Sequence, residues 1–157
     1  MSDKNLKFAW SRVPTGIGVI TTVDQNEEIH GITINSFFSV SIKYPMIGFS
    51  ISFKSESHDL LKNSINFGFS LLRYDQSDYA HFYSNNLNEK PLDIEFFNLD
   101  DGVSVIKNSV FQFSCKVNKI IPLEDHSIFI SDIESFKFID DKPLLWYKSN
   151  YLNISNI

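Results

Sequence analysis

The segment from Ile47 to Lys54 alternates between large apolar residues and small or polar ones. Successive side chains of a β-strand point to opposite faces of the sheet, so this period of two residues predicts a strand with one apolar and one polar face. The apolar face comprises Ile47, Phe49, Ile51 and Phe53, and the polar face comprises Gly48, Ser50, Ser52 and Lys54.

Further segments of the chain also have the character of strands. They are Ile17–Val23, Glu28–Asn35, Asn66–Leu72, Val110–Ile121, His126–Ile139 and Leu144–Lys148. Fifteen Phe residues support this interpretation, because aromatic side chains favour pleated, half-buried surfaces. Polar turns at Asp24–Glu27 and Asp140–Pro143 predict hairpins, and a shift of apolar register near Asp132 predicts a bulge. We therefore expect a mainly β fold, an antiparallel barrel that is closed or nearly closed.

Two or three short peripheral helices complete the predicted fold. Residues 5–12 form an amphipathic pattern, and a second helix is predicted to start after Ser55 or Ser57, with Asp59 in its first turn. A third is predicted over Asp75–Tyr83, and the polar segment from Ser84 to Asp101 is expected to be irregular. We find no repeat and no linker, so residues 1–157 are expected to form a single domain.

Charge and cysteine content exclude several classes of protein. The net charge is −5, and no run of Lys and Arg is interleaved with aromatic residues, so we expect no nucleic-acid partner. Cys115 alternates with apolar residues and is predicted to lie in the core. No Cys/His pair has metal-ligand spacing, so no metal site is expected. The sequence has no apolar run long enough to span a bilayer and no signal segment at its start, which predicts a cytoplasmic protein.

The stretch Gly31–Ser41 packs small hydroxyl and amide side chains between large apolar ones. Such a surface suits a flat ligand with many oxygen atoms, and a phosphorylated cofactor is the natural candidate. Lys54, Ser55 and Ser57 stand at a predicted helix start, where open backbone N–H groups attract anions. The alternative is that these residues form a solvated sheet face without a ligand, with serines that cap helices. The polar pattern by itself slightly favours that alternative.

Five segments, in order and in register, resemble the flavin reductase domain family. They are Pro14–Thr22, Gly31–Phe37 with Ser39–Ser41 and Pro45, Lys54–Ser57, Asp125–His126, and Pro143–Tyr147 with Tyr151. The resemblance extends over residues 8 to 152. It implies the split-barrel fold that binds FMN. It therefore favours a ligand-binding role for the polar stretch over a solvated sheet face.

The resemblance also implies roles for individual residues. The cofactor-binding residues would be Thr33, Asn35, Ser36, Ser39, Val40, Ser41, Ser52, Lys54, Ser55, Ser57 and Phe82. The nicotinamide nucleotide would contact Asp125, His126 and Tyr151, with His126 as the catalytic residue and Asp125 orienting its ring. A core role is an equal alternative for Phe82 and Tyr151. His30, His58 and His81 are predicted to be ordinary hydrogen-bonded residues, and the absence of a Gly-x-Ser-x-Gly elbow argues against a hydrolase triad.

The family implies an NAD(P)H-dependent flavin reductase, an oxidoreductase that passes hydride from NADH or NADPH to FMN or FAD. Reduced flavin would go to a partner monooxygenase, and the protein would be a homodimer. The alternative is a non-catalytic flavin-binding or carrier protein of the same fold. In this alternative, the nucleotide site would have been lost through the changes at Glu124 and Lys148–Asn150, where this sequence departs from the family pattern.

Overall fold

A computed structural model describes residues 2–84 and 93–154 and contains twelve strands and three helices. The strands are β1 (Thr15–Gly16), β2 (Gly18–Val23), β3 (Ile29–Ile34), β4 (Phe37–Ser41), β5 (Met46–Ser52), β6 (Asn66–Leu71), β7 (Phe96–Asn98), β8 (Ser104–Ile106), β9 (Phe111–Pro122), β10 (His126–Phe138), β11 (Leu144–Tyr147) and β12 (Asn150–Asn153). The helices are α1 (Asp3–Trp10), α2 (Glu56–Asn63) and α3 (Ser77–Ser84).

Seven strands form the main antiparallel sheet in the order β3-β2-β6-β9-β10-β5-β4. A three-stranded sheet, β1-β11-β12, and the β7-β8 pair complete the described structure. Every pairing in these sheets is antiparallel, which confirms the predicted fold class. The register of β10 against β9 shifts twice, between Ile130 and Ser131 and between Ile133 and Ser135, so the predicted bulge near Asp132 is also confirmed.

A core of aromatic side chains fills the inside of the main sheet. Phe49 stacks on Phe129 with ring centroids 5.4 Å apart and meets Phe67 edge-on at 5.5 Å. Cys115 is fully buried in the same cluster, as predicted, and burial raises the pKa of its thiol. Because the rings of β5, β6 and β10 meet here, these strands have little freedom to move relative to one another.

The main sheet is split between its two edge strands. In the described residues β3 and β4 terminate the strand order and are not hydrogen-bonded to each other, although only Asn35 and Ser36 separate them in the chain. The barrel is therefore open along one line, which we call the seam. The polar stretch that was singled out from the sequence lies at this seam.

Several predicted local features are wrong in detail. Phe53 was placed on the apolar face of β5, but the strand ends at Ser52 and Phe53 is 43% exposed in the following turn. The turn at Asp140–Pro143 does not make a hairpin, because β11 leaves β10 and pairs with β1 and β12 instead. Within the segment predicted to be irregular, Phe96–Asn98 forms β7, and residues 85–92 lie outside the described structure.

The helices are short, and their positions agree with the sequence prediction to within a few residues. Each of the three in the described residues has eight residues, and none is long and apolar enough to cross a membrane. The residues of α1 are all accessible to solvent, including Leu6, Phe8 and Trp10, and the Arg12 guanidinium lies over the Phe8 ring at 4.4 Å.

Candidate functional site

The seam places Asn35 and Ser36 at the centre of the polar surface. Both residues are exposed. The amide nitrogen Nδ2 of Asn35 donates to Thr15 Oγ1 at 3.2 Å, and Ser36 Oγ donates to the carbonyl of Ser50 at 2.9 Å. Asn35 thereby ties the main sheet to β1, while Ser36 extends the contact between the seam and β5.

The predicted ligand-binding residues of β3 and β4 differ in whether their side chains already make hydrogen bonds within the protein. Thr33 Oγ1 donates to the carbonyl of Ala80 in α3 at 2.9 Å, and Ser41 Oγ accepts from the backbone N–H of Tyr44 at 3.1 Å. Ser39 and Val40 are exposed, at the register shift where Val40 has no partner on β5. Thr33 therefore helps to hold α3, whereas Ser39 presents its side chain to solvent.

Lys54, Ser55 and Ser57 lie at the start of α2, as the sequence predicted. Ser55 occupies the N-cap position, but its side chain makes no hydrogen bond to the helix. The N–H groups of Ser55 and His58 donate to the carbonyls of Ser52 and Ser55, each at 3.0 Å. The N–H groups of Glu56 and Ser57, in the first turn, have no acceptor within the helix. Lys54 is exposed beside them, and a positive side chain, hydroxyls and an open helix start together suit a phosphate group.

Asp125 and His126 lie immediately beside this turn. His126 pairs with Ser52 across the β10-β5 ladder, and the Asp125 carbonyl accepts from the Phe53 N–H at 3.0 Å. His126 Nδ1 stands 2.8 Å from Asp125 Oδ1. That hydrogen bond lowers the pKa of the Asp125 carboxyl group, with a smaller contribution from the charge of Lys54. The structure thus brings Ser52, Lys54, Asp125 and His126 together.

Phe82 and Tyr151 belong to a second group of residues, around α3 and β12. The ring of Tyr151 meets His81 at 4.6 Å and Trp146 at 4.8 Å between centroids, and burial raises the pKa of its hydroxyl. Phe82 is half-buried and contacts Tyr83 at 5.0 Å. The structure gives no direct contact between Tyr151 and His126, so their joint role in binding a nucleotide stays a prediction.

The group around α3 and β12 is linked to the seam through β1 and β11. Asn35 bonds Thr15, and Thr15 pairs with Trp146, which in turn pairs with Tyr151 on β12. A concave surface of ≈ 830 Å³ lies elsewhere, between the β2-β3 hairpin and α2, and its lining includes none of the seam residues.

Near that hairpin, the fold also gathers three side chains of metal-ligating type. The ligand atoms of Asp24, Glu28 and His30 lie within 4.8 Å of one another. Asp24 Oδ1 accepts backbone N–H groups from Asn26 and Glu28, and its Oδ2 stands 3.0 Å from His30 Nε2. These bonds account for the arrangement without an ion, and we assign no metal to it.

One contact was missed from the sequence. His58 Nε2 lies 2.9 Å from Ser127 Oγ, and both side chains are buried. With Asp59 3.5 Å from the other ring nitrogen, the three residues have the composition of a hydrolase triad. However, Ser127 is only 1% exposed, so no substrate can reach its hydroxyl. Nothing in the local sequence signals the pair, because 69 residues separate its members.

Known proteins resemble this chain over nearly its whole length. The family model described as "Flavin reductase like domain" matches residues 10–155. The NADH-dependent flavin reductase StyB of Pseudomonas fluorescens is 30% identical over 142 residues, which are 87% of this chain and 81% of that protein.

Two solved structures extend the similarity to the fold. The flavin reductase PheA2 in its native state superposes with a TM-score of 0.91 at 32% identity, covering 98% of this chain and 99% of that one. The styrene monooxygenase flavin reductase SMOB of Pseudomonas putida S12 gives a TM-score of 0.88 at 28% identity, covering 95% and 96%. The family match, together with a split sheet whose seam carries the expected polar segments, shows that this chain belongs to the flavin reductase-like domain family.

Proposed function

We propose that this protein is an NAD(P)H-dependent flavin reductase that transfers hydride from a nicotinamide nucleotide to FMN or FAD and supplies reduced flavin to a partner monooxygenase. The observation that carries the proposal is the adjacency of the Lys54–Ser57 turn to Asp125 and His126 across β5 and β10. Membership of the family and the names of the relatives, which are flavin reductases, support the same activity.

The residues at the seam fit a flavin. Asn35 and Ser39 are exposed and can form hydrogen bonds with carbonyl and hydroxyl groups of the ligand. The backbone N–H groups at the start of α2 can donate hydrogen bonds to its phosphate. Ser36, Ser41, Ser52 and Thr33 keep acceptor capacity, because a hydroxyl oxygen has two lone pairs. Val40 and Phe82 offer apolar surface to the ring system. Bound flavin would supply the redox chemistry, and the protein need only bind, orient and shield it.

In this proposal His126 contacts the nicotinamide nucleotide. Its Nδ1 is engaged by Asp125, which leaves Nε2 on a ring that is partly exposed. Asp125 would fix the orientation of the imidazole. Nε2 of the neutral ring would then accept a hydrogen bond from the carboxamide N–H, and Nε2–H of the protonated ring would donate to a phosphate oxygen. Tyr151 would contribute a wall to the nucleotide site from β12.

A homodimer is part of the proposal. Trp10 of α1 is 67% exposed, and Phe136 and Phe138 near the end of β10 are 67% and 68% exposed. Phe136 and Phe138 are two residues apart on β10 and project from the same face of the strand. Exposed apolar side chains grouped in this way are typical of contacts between proteins. A second copy of the chain would cover them.

The deciding experiment combines binding with turnover. Purified protein is titrated with FMN or FAD while flavin fluorescence is followed, and NADH or NADPH oxidation is then recorded at the nicotinamide absorption band. Saturable binding together with oxidation supports the reductase, whereas binding without oxidation supports the flavin-carrier alternative. If neither flavin binds at micromolar concentration, both functions are wrong.

A further inference from the structure

His58 is a buried histidine in an exposed turn. It lies in the first turn of α2, between Ser57 and Asp59, and only 9% of its surface is accessible, whereas Glu56 and Asp59 face solvent. A histidine turned inward from the first turn of a helix needs a partner for its ring nitrogens, because a buried polar group without a hydrogen bond is costly.

The partner lies on a different element. His58 Nε2 is 2.9 Å from Ser127 Oγ, and Ser127 is the second residue of β10. The imidazole is held at its sides by Phe53, with ring centroids 5.1 Å apart, and by Phe129, at 5.5 Å. These two ring contacts favour the orientation in which the imidazole faces Ser127. Its other nitrogen is 3.5 Å from the exposed carboxylate of Asp59, a distance too long for a strong bond.

The two ends of this hydrogen bond adjoin the two proposed ligand sites. Ser57, next to His58 in the chain, belongs to the proposed phosphate turn. His126, next to Ser127, belongs to the proposed nucleotide site and pairs with Ser52 at the end of β5. The bond from His58 to Ser127 is thus a direct side-chain link between the helix turn and the first residues of β10.

We infer that His58 is a positioning residue that couples the flavin phosphate to the nicotinamide nucleotide through Ser127. The inference rests on the proposed function. A flavin phosphate that orders the turn at Ser57 also orders His58, and through Ser127 it holds His126 in place. Binding of FMN then strengthens binding of the nucleotide, whereas riboflavin, which has the same ring system and no phosphate, does not.

The first measurement uses the two flavins as alternative substrates. In the wild-type protein the KM for NADH is expected to be about five-fold lower with FMN than with riboflavin, at the lower end of typical coupling between sites. His58→Phe keeps an aromatic ring and removes the bond to Ser127, and Ser127→Ala removes the bond from its other end. In both variants the ratio of the KM for NADH with riboflavin to the KM with FMN should fall close to one. The kcat measured with riboflavin should be almost unchanged.

The second measurement does not depend on turnover. The backbone N–H of Leu123 donates to the His126 carbonyl at 2.8 Å, so its hydrogen exchange reports on the start of β10. In the wild type, the same coupling should make this exchange about five-fold slower with FMN than with riboflavin. In both variants the exchange rates with the two flavins should be equal.

Two further variants complete the experiment. His58→Gln places an amide nitrogen near the position of Nε2 and should restore part of the ratio. His30→Phe, in the exposed β2-β3 hairpin, should leave the ratio as in the wild type. A structural role alone would lower the melting temperature of His58→Phe without changing the ratio.

The outcomes separate the inference from the proposed function. If the wild type shows no difference between FMN and riboflavin in either measurement, or if folded His58→Phe and Ser127→Ala keep the difference, the inference is wrong while the reductase stands. If the protein binds flavin without oxidising NADH or NADPH, the reductase is wrong and the exchange measurement still decides the coupling. If no flavin binds, both are overturned.

Discussion

The aromatic ring of Tyr83 lies over Gly31 so closely that a methyl group built on this glycine would stand 2.5 Å from two ring carbons. A glycine inside a strand is typical of a bulge or of a close approach to the backbone. Here the close approach applies, because the β2-β3 register runs through Gly31 without a shift. Tyr83 belongs to α3, and burial raises the pKa of its hydroxyl to about 12. The contact matters because α3 also carries Phe82 and receives the hydrogen bond of Thr33.

Gly31→Ala should therefore displace α3. We expect a loss of about 1–3 kcal/mol in the free energy of unfolding, as is typical of overpacking, together with weaker flavin binding if Phe82 lines the site. Urea unfolding and flavin titration measure the two effects. The double variant Gly31→Ala/Tyr83→Leu should recover part of the stability, and equal losses in the single and double variants would contradict the steric explanation.

Replacing Lys54 and Ser57 with Ala should weaken the binding of FMN much more than that of riboflavin. Each charge-assisted hydrogen bond lost to the phosphate corresponds to about one to two decades in Kd. Fluorescence titration with the two flavins gives the comparison. Lys62→Ala, in the last turn of the same helix, is the matched control and should change neither Kd. Equal losses for both flavins would mean that the phosphate binds elsewhere.

His126→Ala should leave flavin affinity nearly unchanged and lower kcat/KM for the nicotinamide nucleotide by roughly 10–100-fold. The reason is that its imidazole, oriented by Asp125, is proposed to contact only the nucleotide. Steady-state rates at saturating flavin, with a melting curve on the same sample, test this. His30→Ala should retain wild-type kinetics. If folded His126→Ala keeps the wild-type kcat/KM, His126 is not a catalytic residue and is an ordinary hydrogen-bonded residue, as predicted for His30, His58 and His81.

The double variant Phe136→Lys/Phe138→Lys should convert a dimer into a monomer. Both rings are exposed, so two charges there would cost little in an isolated chain, but they would have to be desolvated in an interface. Light scattering at micromolar concentration is the measurement. Ile65→Lys, at a residue that is 80% exposed, is the control for an added surface charge. A wild-type monomer would remove the second subunit from the proposal.

Ser149→Gly should stabilise the protein. Lys148 and Ser149 have φ of 51° and 60°, the left-handed conformation at both central positions of the turn between β11 and β12. For an L-residue this conformation costs roughly 1–2 kcal/mol, and glycine avoids most of the cost, so a gain of about 1 kcal/mol is expected. Ser149→Ala should give no comparable gain in the same thermal or urea unfolding measurement.

The sequence by itself determined seven of the twelve strands in the described residues, the mainly β antiparallel architecture and the position of the polar stretch. The strands β1, β4, β7, β8 and β12 have at most five residues each, too few for a period of two to stand out. Alternation along β5 and β9 survives in the structure because one face of each strand meets the aromatic core, and a period of two is a local property of the chain. The start of α2 after Ser55 is local as well, because a helix boundary depends on a few adjacent residues, although the Ser55 side chain makes no capping hydrogen bond. Five short segments in register were enough to indicate the family.

Only the tertiary structure decided which of these segments meet. The pairing of β11 with β1 rather than β10 depends on contacts between distant residues, and alternation carries no information about a strand's neighbour. The same holds for the adjacency of Lys54 to Asp125 and for the bond between His58 and Ser127, whose partners are far apart in the chain. Local pattern predicts which face of a strand is buried, but the side chain that a buried polar group reaches is set by the packing of the whole fold.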